Sequence, residues 1–185
     1  GVPTHWRTRN NDSQSHAAWA GVYRDYDVIS PWMVGRYNSL SGADNYKNGI
    51  MAADMQECAN QGIDFMPVVF PGFSWRNLQR HHDNDVPLNA IPRLGGHFYW
   101  RQACNAIQAG NDMIYVAMFD EVDEGTAMYT LAETAAQTPT TGEFVTLDSD
   151  PGYTVPSDWY LRLMGATSDA MRSSAQPVCT QLPIQ

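Results

Sequence analysis

Residues 113–126 of this chain read Met113-Ile114-Tyr115-Val116-Ala117-Met118-Phe119-Asp120-Glu121-Val122-Asp123-Glu124-Gly125-Thr126. The apolar first half predicts a strand, and four acids within five residues follow directly at its end. Neighbouring carboxylates repel one another and lose hydration when they are buried, so a fold brings them together at a cost in free energy. We therefore expect this strand end to be a functional edge of the molecule, with Glu121 and Glu124 as the reacting pair.

Strand, loop and helix repeat about four times along the chain. This pattern predicts an α/β fold with parallel strands, in a single domain over residues 1–185 that ends in an irregular tail at 174–185. The expected strands are 1–7, 27–30, 64–70 and 113–119, with a further short strand at 143–147. The expected helices are 16–24, 45–60 (capped by Asp44 and ended by Gly62), 97–109, and a last one that begins at Ser157 or Asp158.

Aromatic and basic residues stand at the same end of the expected strands as the acids. Trp6-Arg7, Trp32 and Trp75-Arg76 each stand at the carboxyl end of an expected strand. Parallel α/β folds place their sites at the carboxyl ends of strands, in doubly wound sheets and in barrels alike. No glycine-rich phosphate loop follows any of these strands, which disfavours a nucleotide-binding sheet.

Four strand–helix units are half of an eight-fold barrel, and a complete barrel needs about 200 residues or more. Three arrangements fit this count. The chain is the C-terminal half of a (β/α)8 TIM-type barrel, or a second chain completes the barrel, or the sheet is open.

The formal net charge is −9, which disfavours nucleic acid and anionic membrane surfaces as partners. No apolar run approaches the ~18 residues of a membrane span. The chain begins at Gly1, so a leader segment removed before it is compatible with the sequence, and a secreted or periplasmic location is slightly favoured. Cys58, Cys104 and Cys179 allow one disulfide or three thiols.

The chain is rich in aromatic residues and poor in basic ones. It has six Trp, nine Tyr and only 11 Lys and Arg. Trp and Tyr rings stack on sugar faces and carboxylates accept hydrogen bonds from hydroxyls, so this composition suits a carbohydrate partner. Aromatic residues also fill cores, which is the alternative explanation.

Glycoside hydrolysis needs two carboxyl groups beside one sugar linkage, one of them protonated. Neighbouring carboxylates push their pKa values apart, which helps to keep one protonated near neutral pH. Glu121 and Glu124 share a face only if the chain turns after the strand, which brings their Cβ atoms to about 5–6 Å. Gly125 permits such a turn.

Two other interpretations of the acids stay open at the level of sequence. They could lie in a solvated loop or cap a following helix over residues 126–136. They could also bind Ca²⁺ through Asp120, Asp123 and Glu124, although the Asp-x-Asp-x-Asp-Gly loop pattern is absent.

The segment Glu121-Val122-Asp123-Glu124-Gly125-Thr126 resembles the Glu-x-x-Glu-Gly-Thr element of family-99-type glycoside hydrolases, the endo-α-mannosidase relatives. Further segments, in the same order, resemble bacterial family-99-like proteins often labelled xylosidase/arabinosidase. They are Gly1-Val2-Pro3-Thr4-His5-Trp6-Arg7, Val28-Ile29-Ser30-Pro31-Trp32, Phe70-Pro71-Gly72-Phe73-Ser74-Trp75 and Pro156-Ser157-Asp158-Trp159-Tyr160-Leu161. The resemblance implies a (β/α)8 barrel of which this chain is the C-terminal half.

The resemblance also implies a function. Glu121 would act as a base on the sugar 2-hydroxyl, giving an epoxide-like intermediate with retention, and Glu124 would be the general acid/base. This chain has Val122-Asp123 where the mannosidases typically have Trp-His, so it departs from the mannosidase pattern between the two glutamates. The expectation is a retaining glycosidase acting on an oligo- or polysaccharide without metal or cofactor. The alternative is a non-catalytic carbohydrate-binding or structural half-barrel relative, completed by an N-terminal half or a second chain.

Seven further residues are expected to bind the substrate: Trp6, Arg7, Trp32, Trp75, Arg76, Asp120 and Asp123. The tryptophans are candidate sugar platforms, with core packing as the alternative. The arginines either hold sugar hydroxyls or pair with the two aspartates. The aspartates would then support the reacting pair.

Overall fold

Four short strands form two parallel pairs in the computed structural model, which describes all residues 1–185. Strand β1 (Val28–Ile29) pairs with β2 (Asp64–Phe65), and β3 (Val68–Val69) pairs with β4 (Tyr115–Val116). Pro67 separates β2 from β3, since it has no backbone N–H to donate to a neighbouring strand.

The parallel segments lie side by side in chain order. Val2 forms a parallel bridge to Pro31 just beyond β1. The amide N–H of Met66 then donates to Ile29 O at 2.9 Å, and that of Ala117 to Val69 O at 2.9 Å. The prediction of an α/β fold with parallel strands is therefore confirmed, and all strand carboxyl ends meet at one edge.

The helices flank these segments. They are α1 (Trp19–Arg24), α2 (Leu40–Tyr46), α3 (Ala52–Gln61), α4 (Arg76–Arg80), α5 (His97–Gln108) and α6 (Trp159–Arg172). A π-helical turn, Lys47–Met51, joins α2 to α3, and 3-10 turns lie at Leu94–Gly96, Ala135–Gln137 and Leu147–Ser149. None of these helices combines the length and apolar character needed to cross a bilayer.

Several element predictions are wrong in their bounds. The expected strand 1–7 is reduced to the bridge at Val2, because residues 4–9 form turns. The expected helix 45–60 already begins at Leu40, where the Ser39 hydroxyl, not Asp44, caps it by accepting from Gly42 N–H at 3.1 Å. Gly62 does end this helix, with φ of 69°. No strand forms at 143–147 and no helix at 126–136.

Two apolar clusters make up the core. The first surrounds the strands and includes Trp6, Ile29, Met33, Phe70 and Phe98. The second joins α5 and α6 to the chain that follows the acids, and includes Tyr99, Trp100, Met128, Tyr160 and Leu163. The acidic segment therefore lies between a core that supports the strands and one that supports the last helix.

Candidate functional site

The acids lie on a tight turn that folds back on the end of β4. The N–H of Gly125 donates to Val122 O at 3.2 Å, and the N–H of Thr126 donates to Glu121 O at 3.1 Å. Gly125 has φ of 65°, and a Cβ built there would lie 2.8 Å from Val145 Cγ2. The turn expected at Gly125 is present, and it requires a glycine.

Three neighbouring residues fix the backbone of this turn. The N–H of Ser74, just after β3, donates to Glu124 O at 2.7 Å. The buried Arg93 guanidinium donates through Nη2 to Gly125 O at 2.9 Å and to Ala127 O at 2.8 Å. Asn77 Nδ2 donates to the Asp123 carboxylate at 2.7 Å. The acidic turn is thus held from the β3 side and from the core.

Glu124 and two tryptophans line one open cavity of about 220 Å³. The other lining residues are Val34, Gly35, Arg36 and Phe73. Trp32 and Trp75 are 41% and 40% exposed, so both present ring surface to solvent at this cavity. Aromatic faces beside a carboxyl group are the combination that binds and activates a sugar.

The two glutamates have different surroundings. Burial raises the pKa of the Glu124 carboxyl above its usual value of 4.5, and the charges of Glu121 and Asp123 raise it further. Glu124 takes part in no ion pair. Glu121 Oε1 instead accepts the backbone N–H of Asp123 at 2.7 Å and that of Glu124 at 3.4 Å. Glu124 therefore keeps its proton to a higher pH than a free carboxyl does, as a general acid requires.

Trp6 is not a sugar platform. Its side chain is completely buried, and its indole N–H donates to the Asp54 carboxylate at 2.9 Å. Stacking requires an exposed ring face, so we correct the expectation for Trp6 and assign it to the core.

The two arginines do not pair with the acids of the turn. Arg7 Nε donates to Asp54 on α3 at 2.7 Å. Arg76 forms ion pairs with Glu143 and Asp85. Asp120 and Asp123 are exposed on the turn, and neither arginine lines the cavity with Glu124. The pairing expected between these arginines and aspartates is therefore wrong.

Sequence reasoning missed Arg36 at the cavity and Arg93 beneath the turn. Arg36 carries the signal that singled out Arg7 and Arg76, since it is a base shortly after a strand end. Nothing in the local sequence marks Arg93, whose acceptors lie more than thirty residues away.

Two other features are alternatives to the Glu124 cavity as the functional site. A larger cavity of about 540 Å³ is lined by Val122, Tyr129, Leu131 and Phe144 among others, and it contains no carboxyl, imidazole or thiol group. No three His, Cys, Asp or Glu side chains in the chain are arranged to hold a metal ion, so the calcium interpretation of the turn has no structural support. Of these two cavities, only the one at Glu124 has a carboxyl group among its lining residues.

Neither a family model nor a curated protein sequence matches this chain. Among solved structures, it is similar to the GH99 endo-α-mannosidase from Bacteroides thetaiotaomicron in complex with bis-tris propane, with 19% identity and a TM-score of 0.56. A second structure of this enzyme from the same organism gives 20% identity and a TM-score of 0.55. The likeness is one of fold.

The chain spans only part of these neighbours. The match covers 79% of this chain but 41% of the first neighbour and 38% of the second. This chain therefore shares the fold of a portion of a family 99 glycosidase, in agreement with the resemblance of its acidic segment.

Proposed function

We propose that this chain is a glycosidase that cleaves the linkages of an oligo- or polysaccharide with Glu121 and Glu124. The observation that carries the proposal is the Glu124 carboxyl, with its raised pKa, in one cavity with Trp32 and Trp75. The fold shared with a part of a glycosidase supports it. Because the neighbours are longer, the open side of the cavity is completed by an N-terminal half or a second chain.

In the proposed reaction Glu124 gives its proton to the glycosidic oxygen as the bond from that oxygen to C1 breaks. Glu121 takes the proton of the 2-hydroxyl, whose oxygen bonds to C1 and forms the epoxide-like intermediate. Glu124, now a carboxylate, removes a proton from water as the water oxygen attacks C1 and the C1–O2 bond of the intermediate breaks. Glu121 returns its proton to O2, so the product is the hydrolysed sugar with retained configuration.

The test compares Glu121→Gln and Glu124→Gln with Glu133→Gln, an exposed glutamate outside the cavity. The protein is expressed from its complete natural gene, so that any completing polypeptide is present. Release of reducing ends from α-mannan and arabinoxylan should fall about 100-fold or more in the first two variants and stay unchanged in the control. Equal turnover in all three variants, or no turnover and no sugar binding by the wild type, would overturn the proposal.

A non-catalytic sugar-binding function is the second candidate. The bonds from Glu121 to two backbone N–H groups favour it, because they give this carboxylate a purely structural task in the turn. In that case, both glutamine variants retain sugar binding, no reducing ends are released, and only substitutions of Trp32 or Trp75 weaken binding.

A further inference from the structure

Asp12 is the centre of a hydrogen-bond cluster behind the cavity wall. Its carboxylate accepts the N–H of Thr4 at 2.9 Å, the N–H of His5 at 3.1 Å and His5 Nδ1 at 2.8 Å. It also binds Arg36 Nη2 at 2.7 Å. Burial acts to raise the pKa of Asp12, but the hydrogen bonds from His5 and Thr4 outweigh it and lower the pKa to about 2. Asp12 is therefore ionised at any working pH.

Arg36 and Glu124 line the same cavity but are not partners. The ion pair of Arg36 is with Asp12, whose side chain is 16% exposed while that of Arg36 is 43% exposed. A guanidinium has five N–H donors and Asp12 binds only one of its nitrogens. N–H groups of Arg36 therefore remain free to donate at the cavity. The Glu124 carboxyl in the same cavity forms no ion pair.

We propose that Asp12 is a positioning residue of this site: it holds the Arg36 guanidinium on the cavity wall as a donor to sugar hydroxyls and keeps it from pairing with Glu124. The inference rests on the function proposed above. An ion pair between Arg36 and Glu124 would stabilise the carboxylate and so remove the proton that the leaving oxygen needs.

The same arrangement selects a neutral sugar. Asp12 already balances the charge of Arg36, and the turn adds Glu121 and Asp123 within a chain of net charge −9. A carboxylated sugar would meet repulsion without an unpaired cation to offset it. A neutral sugar is not repelled by these charges, and it accepts hydrogen bonds from Arg36.

The charged groups around Glu124 determine how its pKa changes when Asp12 or Arg36 is substituted. Glu121 and Asp123 lie on its own turn, and Arg36 lines the same cavity. Arg93 lies beneath the turn, and its contacts are to Gly125 O and Ala127 O. Among these groups only Arg36 has a charged partner, Asp12, whose loss would free Arg36 to approach the Glu124 carboxyl.

The decisive measurement is the pKa of the Glu124 carboxyl by carbon-13 NMR titration, which needs no turnover. Asp12→Asn keeps the size of the side chain and one of its two acceptor oxygens but removes the charge, so the pKa of Glu124 should fall. Adding Arg36→Met to that variant removes the cation and should return the pKa towards the wild-type value. Arg36→Met alone should leave it close to the wild-type value. A pKa that is unmoved in Asp12→Asn, or that rises clearly in Arg36→Met, would overturn the proposal.

Measurements of sugar binding test separately whether Arg36 donates hydrogen bonds to the sugar. Arg36→Met should weaken binding of α-linked mannobiose about tenfold, and Arg36→Lys should restore part of it. Methyl α-mannopyranosiduronate should bind the wild type less tightly than methyl α-mannopyranoside. Unchanged affinity in Arg36→Met, or tighter binding of the uronate, contradicts the donor role. If the wild type binds no sugar, the proposed function has failed, while the NMR titration still decides whether Asp12 keeps Arg36 from Glu124.

Discussion

Trp32 and Trp75 are expected to supply most of the stacking surface for a sugar, because both are half-exposed at the Glu124 cavity. Trp32→Ala and Trp75→Ala should each weaken binding of α-linked mannobiose about tenfold, measured by calorimetry. Trp19→Ala is the matched control, since Trp19 is 38% exposed but lies on α1, outside the cavity. A loss of the same size in the Trp19 variant would show that the effect is not local.

Residue type and position at a strand end correctly predicted that Trp32 and Trp75 are exposed beside the acidic turn. The same criteria wrongly predicted an exposed ring for Trp6. All three tryptophans stand at the end of a segment that the sequence predicts to be a strand. The difference lies in a distant partner, since Trp6 is buried against Asp54, a residue 48 positions further along the chain. Such a contact depends on how α3 packs on the first turn, which no local pattern contains.

The raised pKa of Glu124 also predicts how stability depends on pH. The folded protein holds this proton to a higher pH than the unfolded chain does, because burial and the charges of Glu121 and Asp123 disfavour the carboxylate. The free energy of unfolding therefore decreases as the pH rises from about 4.5 through the raised value.

Glu124→Gln removes this titration. The variant should melt at a higher temperature than the wild type at pH 7, and the difference should vanish near pH 4. Thermal melts at the two pH values, with Glu133→Gln as the control, measure it. The opposite result would be a variant whose melting temperature lies further below that of the wild type at pH 7 than at pH 4. It would show that the Glu124 carboxylate stabilises the fold.

At the scale of elements, the acidic turn depends on Gly125. Gly125→Ala forces a side chain into a left-handed conformation and within 2.8 Å of Val145 Cγ2. We expect a loss of about 1–2 kcal/mol in the free energy of unfolding, together with reduced hydrolysis, measured by urea denaturation and reducing-end release. Gly165→Ala on α6 is the control, because no atom lies within 4 Å of its new Cβ and alanine favours a helix interior. An equally stable Gly125→Ala variant with full activity would contradict the role of the turn.

Elements with a strong local pattern were predictable, and elements shaped by distant partners were not. The helix predicted at 97–109 is observed as α5 at His97–Gln108, where Trp100, Ala103 and Cys104 have the i, i+3, i+4 spacing of an apolar helix face. The helix expected at 126–136 is absent, since the carbonyls of Gly125 and Ala127 accept from Arg93 instead of from a following helical turn. The predicted strand 113–119 is reduced to Tyr115–Val116, because pairing with β3 limits its length.

At the scale of the whole molecule, the segments at Val2, β1, β2–β3 and β4 follow one another side by side in chain order. A sequential parallel arrangement is how a barrel wall is built, and the match to a portion of a longer glycosidase agrees with it. The repeat of strand and helix predicted this order. Closure of these segments into a barrel stays part of our proposal.

The tail is attached to the body of the molecule by a disulfide that the sequence left undecided among three cysteines. Cys104 on α5 is bonded to Cys179, 75 residues later, and Cys58 is a buried free thiol. The indole N–H of Trp100 donates to Val178 O at 3.0 Å, so the tail also contacts α5 beside the bond. The local sequence pattern predicts no regular structure in the tail. The covalent bond to α5 instead fixes its position.

Reduction of this disulfide should lower the free energy of unfolding by about 2–4 kcal/mol, because the bond limits the conformations of the unfolded chain. Urea denaturation with and without reductant measures it. The double variant Cys104→Ser/Cys179→Ser should be as destabilised as the reduced wild type and insensitive to reductant, whereas Cys58→Ala should stay sensitive. No residue that lines the Glu124 cavity belongs to α5 or the tail, so sugar affinity should persist on reduction as long as the protein is folded. Lost affinity in reduced but folded protein would instead show that the tail and the site are coupled.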